Sequence, residues 1–278
     1  MRLGGPIFAD ARAPESWVGA HRNAGYRAAY CPVGSDASDG DVQAFAEAAR
    51  EADLVIAEVG AWSNPISPDG DERARAVEKC CTALDLAERI GARCCVNIGG
   101  SRGSQWDGPH PDNLSRDTFD LIVETVRGII DAVKPTRTFY TLETMPWVFP
   151  HSPDSYLRLI QAVDRRAFAV HLDPVNLINS PERFYATGAV IRDCVEKLGP
   201  YIRSCHAKDI ALGTKLTVHL DEVRPGLGGL DYRTFLLELS KLEPDVPLML
   251  EHLSNEEEYR LGVEYIRSVA REAGVSFA

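Results

Sequence analysis

Four hydrophobic segments in the second half of the chain each end in a residue type that binds metal ions. They are Thr138–Glu143, Phe168–Asp173, Ile202–His206 and Pro247–Glu251. Each has the composition of a buried strand, and successive segments are roughly 30–45 residues apart, the length of one strand–helix unit. Because the carboxyl ends of parallel strands meet at one end of a barrel, the pattern predicts strands that bring their last residues to a single site.

Strand-like and helix-like segments alternate along the rest of the chain as well. Four further strands are predicted, at Arg2–Phe8, Tyr26–Cys31, Asp53–Val59 and Arg93–Ile98. The predicted helices are Ala13–Ala24, Asp41–Ala52, Glu72–Ile90, Ser115–Val133, one starting at Ser152 or Pro153, Pro181–Leu198, Asp231–Leu242 and Glu256–Glu272. Eight alternating units without a linker favour an α/β fold, a single (β/α)8 TIM barrel domain over residues 1–278. A doubly wound open sheet is the alternative, but the first strand–helix turn lacks the glycine-rich phosphate fingerprint of that fold.

Three long loops follow the third, fourth and seventh predicted strands, at Gly60–Asp71, Gly99–Leu114 and Ala207–Leu230. All three leave the carboxyl ends of strands, where we expect them to form a substrate lid. The glycines of Pro225–Asp231 are expected to permit tight turns before Asp231 caps the next helix.

The overall charge argues against a nucleic-acid-binding protein. The formal net charge is −11 and the sequence pI about 5.1, whereas binding to a phosphate backbone needs a basic surface. No segment has the pattern of a signal peptide or of a membrane-spanning helix. Seven cysteines, including two adjacent pairs, are an odd count with poor disulfide geometry, which is typical of reduced thiols in a cytoplasmic protein.

Two glutamates, one aspartate and one histidine form an oxygen-rich ligand set with one nitrogen. Such a set suits one divalent ion, Mn²⁺ or Mg²⁺ above all, and also Co²⁺ or Zn²⁺. Taken singly, each residue has another interpretation. Glu143 could pair with an arginine, Asp173 could cap a turn, His206 could be a core histidine and Glu251 a surface carboxylate. Their shared position at strand ends favours the metal interpretation.

The pattern resembles the xylose-isomerase-like barrel superfamily, which includes sugar isomerases, sugar epimerases and enzymes similar to endonuclease IV. The most specific stretches are Leu142–Trp147, His171–Tyr185, Cys205–Asp209 and Leu250–Leu253. The resemblance to ketose 3-epimerases implies that Glu143, Asp173, His206 and Glu251 bind one divalent metal ion. It also implies that Glu143 and Glu251 are the catalytic acid and base.

One position departs from the ketose epimerases, which carry a histidine three residues after the aspartate of strand six. This chain has Asn176 there, and an amide can hydrogen-bond a substrate hydroxyl but cannot exchange a proton. Endonuclease IV relatives use a trinuclear zinc cluster with many histidine ligands, and the seven histidines of this chain are poorly placed for one.

The predicted function is a metal-dependent sugar isomerase or epimerase that transfers a proton α to a carbonyl through an enediolate. A metal-dependent lyase or dehydratase acting on a keto-sugar or cyclic polyol by β-elimination is the runner-up. A non-catalytic sugar-binding barrel is a third hypothesis, which would predict loss of one of the two glutamates. The expected partner is a small sugar or polyol, with no nucleic acid and no membrane, and assembly into a homo-oligomer is left open.

Nine further residues near the predicted strand ends are candidates for substrate contact: Glu58, Trp62, Asn97, Trp106, His110, His171, Asn176, Lys208 and Arg224. Some of them have structural alternatives. His171 could be a buried core residue, and Lys208 could form an ordinary ion pair with Asp209. The loop from Trp106 to Asn113 could be a proline-stiffened surface loop.

Overall fold

The computed structural model describes residues 1–278 and contains a closed barrel of eight parallel strands surrounded by helices. The strands are β1 Arg2–Gly4, β2 Ala28–Tyr30, β3 Val55–Gly60, β4 Cys94–Asn97, β5 Tyr140–Glu143, β6 Phe168–Leu172, β7 Ile202–Ala207, β8 Asp209–Leu212, β9 Leu220–Val223 and β10 Pro247–Leu250. The barrel order is β1-β10-β7-β6-β5-β4-β3-β2, and β8 and β9 form a separate antiparallel hairpin. The predicted TIM barrel is confirmed, and the open sheet is excluded.

The helices follow the barrel strands, as a β/α repeat requires. They are α1 Pro14–Ala24, α2 Asp39–Glu51, α3 Gly70–Ile90, α4 Arg116–Val133, α5 Pro153–Val163, α6 Pro181–Phe184, α7 Thr187–Leu198, α8 Tyr232–Leu239 and α9 Glu256–Ala273. The predicted helix Pro181–Leu198 is two helices, because the backbone of Ala186, between them, has φ −133° and ψ 33°, outside the helical range. None of the helices combines the length and apolar character that a membrane crossing requires.

Helix ends are fixed by the residues that the sequence suggests. The side chains of Ser115 and Asp231 accept hydrogen bonds from the amides of Thr118 and Thr234, which satisfies donors in the first turns of α4 and α8. Gly91 ends α3 with a φ of 77°, a left-handed conformation that glycine adopts without steric cost.

Strand register places the ends of neighbouring strands at one level of the barrel. Glu143 pairs with His171 across β5 and β6, and Met249 pairs with His206 across β10 and β7. Both faces of β5, β6 and β10 are buried, which explains their nearly continuous hydrophobic sequences. Residues just beyond these strands therefore meet at the carboxyl end of the barrel.

The loop after β7 has more structure than its length suggested, because it contains the hairpin β8–β9. Asp209 begins β8, and its carboxylate accepts hydrogen bonds from the amides of Gly226, Gly228 and Leu230 at 2.9–3.1 Å. A Cβ atom on Gly228 would lie 2.3 Å from the carbonyl oxygen of Ile210. The loop thus returns close to its own start. Only glycine fits at position 228, where the backbone of the loop meets the backbone of Ile210.

Candidate metal centre

The four predicted metal ligands converge at the carboxyl end of the barrel. Glu143 ends β5, Asp173 follows β6, His206 lies on β7 and Glu251 follows β10. One ligand atom from each lies within 4.8 Å of the others, and three of the four residues are buried. Nδ1 of His206 is 2.8 Å from Oε1 of Glu251, 3.3 Å from Oε1 of Glu143 and 4.0 Å from Oδ2 of Asp173.

Neighbouring groups orient these side chains toward a common centre. Oδ1 of Asp173 accepts hydrogen bonds from the amides of Val175 and Asn176, at 2.9 and 3.3 Å, which leaves Oδ2 facing the cluster. The side-chain amide of Asn176 donates to Oε1 of Glu143 at 3.0 Å. Asn176 therefore contacts a carboxylate of the cluster.

Lys208 extends its ammonium group into the cluster. Its Nζ is 2.5 Å from Oε1 of Glu251, 2.8 Å from Oδ2 of Asp173 and 3.6 Å from Oε1 of Glu143. Burial alone would lower the pKa of Lys208, but the three carboxylates raise it above its usual value, so the side chain is charged. The alternative ion pair with Asp209 is not formed, because the Asp209 carboxylate accepts backbone amides instead.

The residues fit a divalent cation. Oδ2 of Asp173 and Oε1 of Glu251 are buried and take part in no hydrogen bond, although both lie close to cationic nitrogens. Both residues belong to the group whose ligand atoms lie within 4.8 Å of one another. Buried carboxylate oxygens without hydrogen bonds are costly, and a cation among these ligand atoms would satisfy them. Three carboxylates and one imidazole are a donor set suited to Mg²⁺ or Mn²⁺.

The proton affinities of the cluster reflect its excess of negative charge. Burial raises the pKa of Glu143 to about 7. Burial would lower the pKa of His206, but Glu251, Glu143 and Glu58 raise it well above its usual value. Burial opposes ionisation of Glu251, but His206 and Lys208 hold its pKa below the usual range. Because the ligands of a metal must be deprotonated, a bound cation would take the place of protons held here.

A second layer of buried polar side chains lies beneath His206. Nε2 of His206 is 3.4 Å from Oε1 of Glu58, and the hydroxyl of Ser204 donates to Oε2 of Glu58 at 3.1 Å. Nδ1 of His171 is also 3.4 Å from Oε2 of Glu58, and the two imidazole rings meet edge to face at 4.1 Å. Burial lowers the pKa of His171 to about 4, so this ring is neutral.

A cavity of about 680 Å³ opens above the cluster and has carboxylates and aromatic rings in its wall. Its lining includes seven of the residues predicted for the site: Glu58, Trp62, Trp106, Glu143, Asn176, Lys208 and Glu251. The further lining residues, which the sequence patterns do not single out, include Tyr30, Asp107, Glu222 and His252. Tyr30 is the last residue of β2, and His252 comes just after β10. Both therefore occupy strand-end positions like those of the predicted ligands. Asp107 and Glu222 lie in the long segments after β4 and β7, and contacts between distant residues bring them to the cavity.

Four predicted substrate contacts lie outside the cavity lining. Asn97 is buried, where it accepts from the amide of Ser63 at 3.1 Å and donates to Sγ of Cys80 at 3.3 Å. His171 lies beneath His206. The two remaining residues have local partners, since His110 caps the short 3₁₀ helix Pro111–Leu114 and Arg224 pairs with Glu258 at 2.9 Å.

The comparisons with known proteins identify the family. Residues 19–269 match the family described as xylose isomerase-like TIM barrel, and the chain belongs to it. The resemblance inferred from the sequence is thereby confirmed. A search of curated proteins found no match.

Solved structures with a similar fold have different reported activities. Endonuclease IV from Thermus thermophilus aligns with a TM-score of 0.74 and 16% identity, over 98% of this chain and 100% of that one. D-psicose 3-epimerase with D-tagatose, from Clostridium cellulolyticum, gives 0.68 and 14%, over 99% and 100%. A protein described as a probable 3-DHS dehydratase, from Bacillus anthracis, gives 0.68 and 16%, over 96% and 98%. At such low identities the likeness shows the fold, and the reaction must be argued from the site.

Proposed function

We propose that this protein is a divalent-metal-dependent sugar isomerase or epimerase that moves a proton α to a carbonyl group. The observation that carries the proposal is the pair of buried carboxylates, Glu143 and Glu251, in one ligand cluster at the floor of a polar cavity. They come from β5 and β10, which are separated in the barrel by β6 and β7. Two carboxylates that approach a substrate from different strands can act in turn as base and acid.

Each residue of the cluster has a definite task in this proposal. Glu143, Asp173, His206 and Glu251 would hold the cation. When bound, the cation would supply positive charge to stabilise the negative oxygen that develops as the α-proton leaves. Glu251 and Glu143 remove and return the proton. Asn176 holds the Glu143 carboxylate through the 3.0 Å hydrogen bond from its amide, and Lys208 offers an ammonium group to a substrate oxygen.

The cavity wall favours a neutral sugar or polyol over a phosphorylated one. Three carboxylates outside the cluster line it, those of Glu58, Asp107 and Glu222, and it contains no arginine. The only lysine is Lys208, whose charge is already shared by Asp173 and Glu251. A phosphate group entering this cavity would meet three further carboxylates that repel it and no arginine to bind it. The excess of acidic side chains in the cavity wall, together with the net charge of −11, also disfavours a nucleic-acid substrate.

Two tryptophans complete the wall of the cavity. Trp62 and Trp106 line it beside the carboxylates, so the cavity presents apolar ring faces as well as hydrogen-bond acceptors. The C–H face of a sugar packs against an aromatic ring, while its hydroxyls donate to carboxylates.

Solvent isotope exchange tests the proposed function. Protein loaded with Mn²⁺ would be incubated in D₂O with neutral ketoses and keto-glycosides, and the products followed by NMR. We expect deuterium at a carbon next to the carbonyl, with isomer or epimer formed. Release of a leaving group with formation of an enone would show a lyase instead. Binding without any exchange would show a sugar-binding barrel and refute the enzymatic proposal.

A further inference from the structure

Both edges of the His206 imidazole face carboxylates, and both the ring and Glu58 are buried. On one edge, Nδ1 faces Glu251 and Glu143 at 2.8 and 3.3 Å. On the other, Nε2 is 3.4 Å from Oε1 of Glu58. We propose that Glu58 is a positioning residue that accepts a hydrogen bond from Nε2–H of His206 and thereby leaves the Nδ1 lone pair free for the cation. This inference rests on the metal site described above.

Glu58 has no cationic partner other than imidazole. Its carboxylate is close to the imidazoles of His206 and the neutral His171, and no lysine or arginine lies within 4.0 Å of it. A buried carboxylate in that position is costly unless it accepts hydrogen bonds from its neighbours. Nε2–H of His206 and the hydroxyl of Ser204 are the donors that the structure provides.

The carboxylate of Glu58 is itself held in place. Ser204 precedes His206 by two residues on β7, so both side chains point to the same side of the strand. The Ser204 hydroxyl binds Oε2 at 3.1 Å, which turns Oε1 toward His206. Glu58 comes from β3, on another part of the barrel wall, so the contact ties the ligand strand β7 to a rigid element.

A neutral imidazole carries one N–H group, and only the bare nitrogen can bind a metal ion. An acceptor at Nε2 selects the tautomer with the hydrogen on Nε2, fixes the plane of the ring and raises the basicity of Nδ1. Without Glu58, Nε2–H would be buried without an acceptor. Loss of such a partner typically weakens metal binding about 10–100-fold.

The same three residues, Glu58, His171 and His206, lie close enough together to act as ligands themselves. A second cation between them would give Glu58 the role of ligand in place of a positioning role. The two cases predict different metal contents, one ion per chain for positioning and two for a second site.

The test compares Glu58→Met, Glu58→Gln and Ser204→Ala with the control Asp107→Asn, which changes a carboxylate of the cavity wall outside the four ligands. Affinity for Mn²⁺ is measured by calorimetry, the Co²⁺ form by its visible absorption spectrum, and the metal-free proteins by thermal unfolding. We expect one ion per chain in the wild type. For Glu58→Met we expect about 10–100-fold weaker binding, an altered Co²⁺ spectrum and a metal-free protein that is no less stable. Glu58→Gln and Ser204→Ala should each lose less affinity, because an oxygen that can accept from His206 remains at position 58 in both, and Asp107→Asn should bind metal as the wild type does.

Unchanged affinity and an unchanged Co²⁺ spectrum in Glu58→Met would overturn the inference. If that variant does not fold, the same result in Glu58→Gln would do so. Two ions per chain in the wild type, with one lost on substitution of Glu58, would also overturn it in favour of a second metal site. A wild-type protein that binds no divalent ion would refute the proposed metal site itself, which is a separate failure.

Discussion

Replacing Glu251 by glutamine should remove one charge and one proton carrier while keeping the shape of the site. Glu251 is 2.8 Å from Nδ1 of His206 and 2.5 Å from Nζ of Lys208, and glutamine occupies nearly the same volume. The carboxylates of Glu143, Asp173 and Glu251 carry three negative charges and Lys208 carries one positive charge, which leaves two to balance a divalent ion. The variant leaves only one, so metal binding weakens.

The turnover rate is a more sensitive measure of the effect of this substitution than metal affinity. The rates of the variant and the wild type are compared at saturating metal. An amide cannot exchange a proton, and loss of a positioned general acid or base costs about 10²–10⁴-fold in rate. This corresponds to about 3–5 kcal/mol at the transition state. The assay is α-proton exchange in D₂O, with metal content measured on the same samples. The control is Glu222→Gln, which removes a carboxylate of the same cavity without touching the four ligands. A metal-loaded Glu251→Gln protein that exchanges at the wild-type rate would refute the acid–base role.

Further predictions concern pH, Lys208 and Asp209. Since burial raises the pKa of Glu143 to about 7 in the metal-free protein, binding must displace a proton below that pH. Because the pKa of His206 is also raised well above its usual value, calorimetric Mn²⁺ affinity should rise with pH, and more steeply below about 7 than above it; a pH-independent affinity would contradict this. Lys208→Met removes a charge that repels the cation, so Mn²⁺ affinity should hold or rise while turnover falls; weaker metal binding would count against the assigned geometry. Asp209→Ala leaves the buried amide of Leu230 and its neighbours without an acceptor, so urea unfolding should show a loss of about 3 kcal/mol, and an unchanged midpoint would contradict it.

The barrel and the convergence of its ligands could be predicted because both depend on local sequence patterns. Buried parallel strands have continuous hydrophobic sequences. A polar residue at the end of such a run can be recognised without knowing which distant residues it contacts. Register then pairs Glu143 with His171 and His206 with Met249, two residues before Glu251, so the ligands lie near the carboxyl ends of adjacent strands. The occurrence of all four residues at strand ends indicates a metal site, since any one of them alone has an ordinary structural interpretation.

The remaining features depend on contacts between residues far apart in the chain. Adjacency in the sequence suggests Asp209 as a partner for Lys208, yet its carboxylate accepts hydrogen bonds from the amides of Gly226 and Leu230, about 20 residues further on. Asn97 ends a strand like the true cluster residues, but its side chain points to Ser63 and Cys80 rather than into the cavity. Which side of a strand faces the cavity is indicated by the alternation of side chains along it. A strand of four residues is too short for this alternation to show which side faces inward.

A crystal grown with Mn²⁺ and measured near the manganese absorption edge would test the central claim directly. We predict one anomalous peak per chain, within about 2.0–2.6 Å of an oxygen from each of Glu143, Asp173 and Glu251 and of Nδ1 of His206. The ammonium group of Lys208 should be displaced from its position between Asp173 and Glu251. An absence of anomalous density at these four residues in manganese-saturated crystals would contradict the account.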